Sequence, residues 1–168
     1  VRSYRLAEAE WHLNVALARG GGADLTVATY DGSLVSVLGG ADVDGDGADE
    51  LWARTGQGAS ATIIGLARLV GCDLVRVTAP GGEPAELPVG GSVGTASGVE
   101  CDAQVDPTAD LTTYTATNLG DDRYEVRATE HALDGTVLVE RGTHTSEATI
   151  GDSTFGRAST FSCDGLSL

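Results

Sequence analysis

Short alternations of apolar and polar residues run through most of this chain, cut about every eight to twelve positions by turns rich in glycine and aspartate. A period of two sends successive side chains to opposite faces of an extended backbone, so each run can bury one face and wet the other. Trp11, Leu13, Val15 and Leu17 alternate in this way with His12 and Asn14. Further strands are expected at 25–30, 33–40, 51–55, 62–70 and 73–79. The turns between them fall at 19–24, at Asp31-Gly32 as a hairpin joining 25–30 to 33–40, at 56–61 and at Gly71-Cys72. Beyond residue 98 the alternation becomes threonine-rich, with strands expected at 111–118, 123–133, 136–150 and 157–163 and turns at 120–122 and 134–135. Only residues 1–10 carry a helix-favouring composition, in Arg5–Glu10. The expected fold is therefore all-β, with about ten short antiparallel strands. The chain shows no sequence repeat and is far too short for a full propeller of roughly 40–50-residue blades.

Composition narrows the possible partners. Glycine is 24 of 168 residues while hydrophobic residues are 41%, so the glycine excess reads as turns and not as disorder. The net charge is −15 and every basic residue is arginine. A chain this acidic repels phosphate backbones and anionic lipid surfaces, which excludes nucleic-acid or membrane-surface binding as a first reading. No apolar run approaches the ~20 residues of a membrane span. The sequence starts at Val1 and contains no methionine, from which a processed or excised form is expected. Of the three cysteines, Cys101 and Cys163 both precede aspartate in loop-rich surroundings. They are expected to form a disulfide, with other pairings or no bridge as the alternatives. Cys72 lies in an apolar setting and is expected to be a buried free thiol. Together these features favour an extracellular or cell-surface setting.

The chemically informative segment is 42–51, where Asp42, Asp44, Asp46, Asp49 and Glu50 put five carboxylates within nine residues. Asp42, Asp44 and Asp46 alternate, and Gly45 and Gly47 permit the tight curl that turns the alternation inward. A carbonyl from Ala48, at the seventh position, and the Glu50 carboxylate, at the ninth, can complete a shell of hard oxygen donors. Six to eight such oxygens suit Ca²⁺, whereas Mg²⁺ prefers a rigid octahedron and keeps its waters. No soft ligand stands nearby to favour zinc or copper. Carboxylates about 5 Å apart repel by roughly 1–3 kcal/mol in a medium of high to intermediate dielectric, so the unliganded loop is expected to be held open. Two plainer readings stand beside this one: a solvated acidic turn with no ion, and an ion that only rigidifies the turn.

The loop is not an EF-hand, because the twelfth position holds Ala53 where a bidentate glutamate is required, and strands replace the flanking helices. The run Gly39-Gly40-Ala41, the acid loop, Leu51-Trp52 and the glycine-rich turn after it resemble the FG-GAP repeat (integrin-α-like, VCBS-type) of secreted and surface proteins. The resemblance spans about residues 25–79. It implies a four-stranded antiparallel blade with Ca²⁺ in the loop between two strands. Asp42, Asp44, Asp46 and Glu50 would be its side-chain ligands and Ala48 its carbonyl ligand, with Asp49 turned to solvent. Unlike the family's usual strings of repeats, this chain has one.

Weaker signals are outweighed. Gly90-Gly91-Ser92-Val93-Gly94 matches a nucleophile elbow in letters only, since loop-like sequence follows where a helix is required. His12, His131 and His144 are scattered, and His12 and His131, on the polar faces of expected strands, read as surface residues. Trp11, Trp52, Tyr4, Tyr30, Tyr114 and Tyr124 offer a carbohydrate platform, with Trp11 better read as core. The expected organisation is an FG-GAP-like calcium-binding sheet over 1–82, a Gly/Pro-rich linker over 83–98, and a second antiparallel sheet over 99–168 closed by the disulfide. The two sheets are expected to pack as one sandwich-like body. The expected function is a non-catalytic extracytoplasmic calcium-binding module with a structural, adhesion or assembly role at the cell surface. Its partners would be the calcium ion, a surface protein or glycan, or a second copy of the chain. A carbohydrate- or protein-binding domain is the alternative. A surface-polymer hydrolase ranks lower because no paired carboxylates stand outside the acid loop.

Overall fold

A computed structural model describes residues 2–7, 10–16, 20–29, 34–101 and 110–168. Strands β1 (Arg2–Ala7), β2 (Glu10–Ala16) and β3 (Gly22–Ala28) form a small antiparallel sheet in chain order. Strands β4 (Ser36–Ala41), β5 (Glu50–Gln57), β6 (Ala61–Val70) and β7 (Asp73–Arg76) follow as an antiparallel meander in a second, larger sheet. β7 pairs with residues 67–70 of β6, and the remainder of that edge, 61–65, takes β8 (Glu86–Gly91). The sheet then continues through β9 (Thr95–Cys101), β10 (Leu111–Gly120), β11 (Arg123–Asp134) and β12 (Val137–Thr149). A five-residue helix, α1 (Ser153–Arg157), precedes β13 (Phe161–Cys163), which lies parallel to β9, and β14 (Leu166–Ser167), which closes a hairpin on β13.

The molecule is all-β and sandwich-like, and burial explains why. On β5, Leu51 and Ala53 face the small sheet and join Leu13, Ala23, Val27, Ala67 and Leu74 in one core. Trp52, between them, points the other way and packs with Ile64, Leu66, Val99, Leu133 and Phe161 in a second core. β5 is thus buried on both faces along Leu51-Trp52-Ala53, where apolar residues follow one another without alternation. A third core of Tyr114, Tyr124, Val126 and Ala148 lies under α1. The C-terminal segment crosses β9 so closely that a Cβ built on Gly98 would run into the Arg157 carbonyl oxygen. The far end of the large sheet also returns to its middle: Thr78 donates to the Thr136 carbonyl (2.9 Å) and accepts from the Leu138 amide (2.8 Å). That return carries the β11–β12 turn back beside β6.

Several sequence expectations are corrected. Residues 2–7 are a strand, because pairing with β2 overrides the helix propensity of the segment. The run expected as the hairpin partner of β3 pairs with β5 instead, and β3 lies in the small sheet; the Asp31-Gly32 turn lies outside the described residues. The stretch 83–98 is occupied by β8 and the start of β9, and the large sheet runs through it without a break. The acid-loop meander is therefore covered on one face by the small sheet β1–β3 and on the other by residues of the C-terminal part, Val99, Leu133 and Phe161 among them. Cys101 and Cys163 are disulfide-bonded, with an S–S distance of 2.05 Å. Cys72 is exposed, because it occupies the tip of the β6–β7 turn and not a strand interior.

Candidate metal centre

The acid loop joins β4 to β5, two strands whose pairing ends at Ala41 and Glu50. The strand pair therefore fixes both ends of the loop. Gly45 and Gly47 take φ values of +71° and +87°, the left-handed region where a side chain is disfavoured. With the backbone so curled, its own amides cap the carboxylates. Gly47 N–H donates to Asp42 Oδ2 (3.0 Å), Asp46 N–H to Asp44 Oδ1 (3.2 Å), Ala48 N–H to Asp46 Oδ1 (2.8 Å) and Val43 N–H to Glu50 Oε2 (3.0 Å).

Three of the expected ligands converge. Asp42, Asp44 and Glu50 each offer a carboxylate oxygen, and these oxygens lie within 4.8 Å of one another. Glu50 is 1% exposed and stands on the same face of β5 as Trp52, at the end of the central core. Asp42 Oδ1 is enclosed and has no hydrogen-bond partner among the described residues. An enclosed carboxylate oxygen without a donor is costly, and a cation is the partner that the surrounding chemistry leaves open. Asp46 is not among the three; its oxygens accept from the Ala48 amide and from Arg68. Ala48 and Asp49 are exposed.

Sequence reasoning missed Arg68. Its guanidinium lies across the loop, with Nη1 3.0 Å from Asp44 Oδ2, Nη2 2.7 Å from Asp46 Oδ2 and Nε 3.6 Å from Glu50 Oε1. Nη1 also donates to the Gly135 carbonyl in the β11–β12 turn (2.8 Å). The loop is accordingly knit together where repulsion alone was expected to hold it open. A signal was present: Arg68 is the one charge in the run 61–70, and a charge that directly follows buried positions of a strand requires a partner. Burial, reinforced by the charges of Asp44 and Asp46, pushes the Glu50 carboxyl up to about 7 against the opposing pull of the Val43 amide and Arg68. Burial works against the Arg68 charge, but Asp44, Glu50 and Asp46 outweigh it and hold the guanidinium above its usual range.

The other candidates do not assemble. Trp52 is fully buried against Phe161, with ring centroids 5.1 Å apart, and Tyr124 against Phe155 at 4.5 Å. Tyr114 is buried and donates to Glu100 Oε2 (2.8 Å). These three residues present no aromatic platform. Ser92 sits in the β8–β9 turn, where its own amide donates to the Thr95 carbonyl (2.7 Å), and β9 follows where a nucleophile elbow needs a helix. His131, expected at the surface, is half-buried beside Thr113 Oγ1 (2.9 Å), while His144 lies 3.2 Å from Glu130.

Comparison of the chain with family models, with characterised proteins and with solved structures gives no match.

Proposed function

We propose that the chain is a non-catalytic, calcium-binding module of an extracytoplasmic setting, in which the ion organises the β4–β5 loop for a structural or assembly role. The observation that carries this reading is the convergence of Asp42, Asp44 and Glu50 within 4.8 Å around an enclosed, unpartnered Asp42 oxygen. All the donors are hard oxygens, which favours Ca²⁺ over softer metals. Asp42, Asp44 and Glu50 would hold the ion, with Asp46 and the Ala48 carbonyl recruited as the loop tightens. The FG-GAP likeness of the segment supports the same donor set, and the β4–β7 meander supplies four antiparallel strands with the loop between the first two. The disulfide favours an oxidising compartment. Assembly is favoured over glycan binding because Trp52 is buried, while β12 ends the large sheet as an edge strand that beyond β11 pairs only near Val137 and Leu138, with Thr78.

Calorimetric melting in Ca²⁺ against chelator tests the reading. Extracellular modules bind at about 10⁻⁴–10⁻³ M, and a hundredfold excess over Kd stabilises by about 2.7 kcal/mol. The expected result is a rise in Tm with Ca²⁺ that Asp42→Asn abolishes. With a net charge of −15, any added salt relieves some self-repulsion, so the control is NaCl at matched ionic strength. Equal shifts in Ca²⁺ and NaCl would sink the proposal.

A further inference from the structure

The same arginine that steadies the loop stands in the way of the ion. We propose that Arg68 is a built-in competitor of the metal, so that loading the loop releases the β11–β12 turn; this rests on the calcium reading above. The Arg68 side chain is 13% exposed and is anchored on β6, next in line after the buried Ile64 and Leu66 on the same face. Its partners are the loop's own acids. Asp44 and Glu50 belong both to the converging oxygens and to the guanidinium's contacts. A divalent ion seated about 2.3–2.6 Å from those carboxylates places two positive centres against one pair of anions. Like charges at such range repel strongly in a partly buried site, so occupancy by one weakens occupancy by the other.

The exchange has a structural consequence because Arg68 Nη1 serves two acceptors. It pairs with Asp44 Oδ2 and donates to the Gly135 carbonyl, 67 positions along the chain. No other side chain among the described residues is seen to tie the acid loop to that turn. Drawing the guanidinium off Asp44 therefore draws it off Gly135 as well. The turn keeps its backbone bonds through Thr78, so the expected response is local loosening and not unfolding. Asx-type caps within the loop remain available to the carboxylates, and Asp42 Oδ1 needs no release because it is already free to accept the ion.

The test is Ca²⁺ titration of the whole chain, read by calorimetry and by the amide and arginine side-chain NMR signals. In the wild type, Ca²⁺ is expected to shift the Arg68 Nε–H signal together with the Gly135 and Thr136 amides. Arg68→Gln is expected to bind Ca²⁺ at least about five-fold more tightly and to show no calcium-dependent change at Gly135 and Thr136. Arg68→Lys, which keeps the charge without the fork, falls between the two. Binding by the wild type with Arg68 and Gly135 signals unmoved, or unchanged or weaker affinity in Arg68→Gln, overturns the competition and leaves the calcium site standing. If neither wild type nor Arg68→Gln binds, the calcium reading itself fails and the competition with it. Binding by Arg68→Gln alone supports the competition. Where the wild type binds, its NMR measurement decides the question even if a variant does not fold; where it does not, Arg68→Lys serves beside Arg68→Gln.

Discussion

His131 shows how a single side chain records its surroundings. It sits at the end of the regular β11 register, opposite Glu140, with Thr113 Oγ1 2.9 Å from its Nε2. Burial lowers its pKa below the usual 6.5, and the nearby Glu140 charge only partly offsets this. Glu86, from β8, and Glu140 share the shallow groove with it. The folded state therefore binds a proton less readily than the unfolded chain. Stability from this group is complete above about pH 6.5 and is lost as pH falls through the lowered folded value. Urea midpoints of wild type and His131→Gln, followed from about pH 8 down to about pH 5, are expected to separate on the acid side, the variant falling less steeply. Parallel curves would show that the ring is solvated in solution.

At the scale of elements, one irregularity decides the chemistry of the loop. Near the β5–β6 turn Gln57 pairs with Thr62 and Gly56 with Ile63; past Thr55 the register shifts by one, so that Arg54 pairs with Ile64 and Leu51 with Ala67. Carried on without the bulge, the first register would set Glu50 across from Leu69. With it, the position across from Glu50 is Arg68. Gly65 makes room for the bulge, since a Cβ there would stand 2.8 Å from Thr55 Cγ2. Gly65→Ala is expected to destabilise by about 1–3 kcal/mol in chemical denaturation, and adding Thr55→Ser, which removes the opposing methyl, to recover much of the loss. Additive losses would place the strain elsewhere. The bulge also marks where the sequence stops being legible. The acid loop could be read because its donors are close in the chain and its glycines are required locally. β10, β11 and β12 could be read because alternation and turn residues agree along their length. Arg68 could not be assigned to Glu50, since a one-residue shift leaves no compositional trace. β8 was obscured by Pro88, normally a sign against a strand; the structure tolerates it because β9 pairs with β8 only at Gly90 and Gly91, leaving Pro88 a partner on one side.

For the whole molecule, the question is what holds a chain of net charge −15 together around one central core and two smaller ones. Self-repulsion favours expansion, opposed by a central core that reaches from Ala41 on β4 to Leu138 on β12 and by two smaller cores. The disulfide acts against that expansion. It joins the end of β9 to β13 across 62 positions, and it does so in the central core, where Cys163 is fully buried beside Phe161 and Val99. In the chain-entropy account, closing a loop of that length raises stability by about 4 kcal/mol by restricting the unfolded chain. For a chain of this size that corresponds to roughly 10 °C in Tm. The Cys101→Ser, Cys163→Ser double variant is expected to melt lower by about that margin, with the larger deficit at low ionic strength, where repulsion in the native state is least screened. The acid loop offers an internal control. β14 packs against β4, the strand that leads into the loop, and a Cβ on Gly39 would meet the Leu166 side chain. If the bridge secures that contact, the double variant also loses calcium affinity; if it acts only through the unfolded chain, Tm falls while calorimetric Kd stays unchanged. A double variant that melts with the wild type at low salt would mean that the cores hold the charged chain without it.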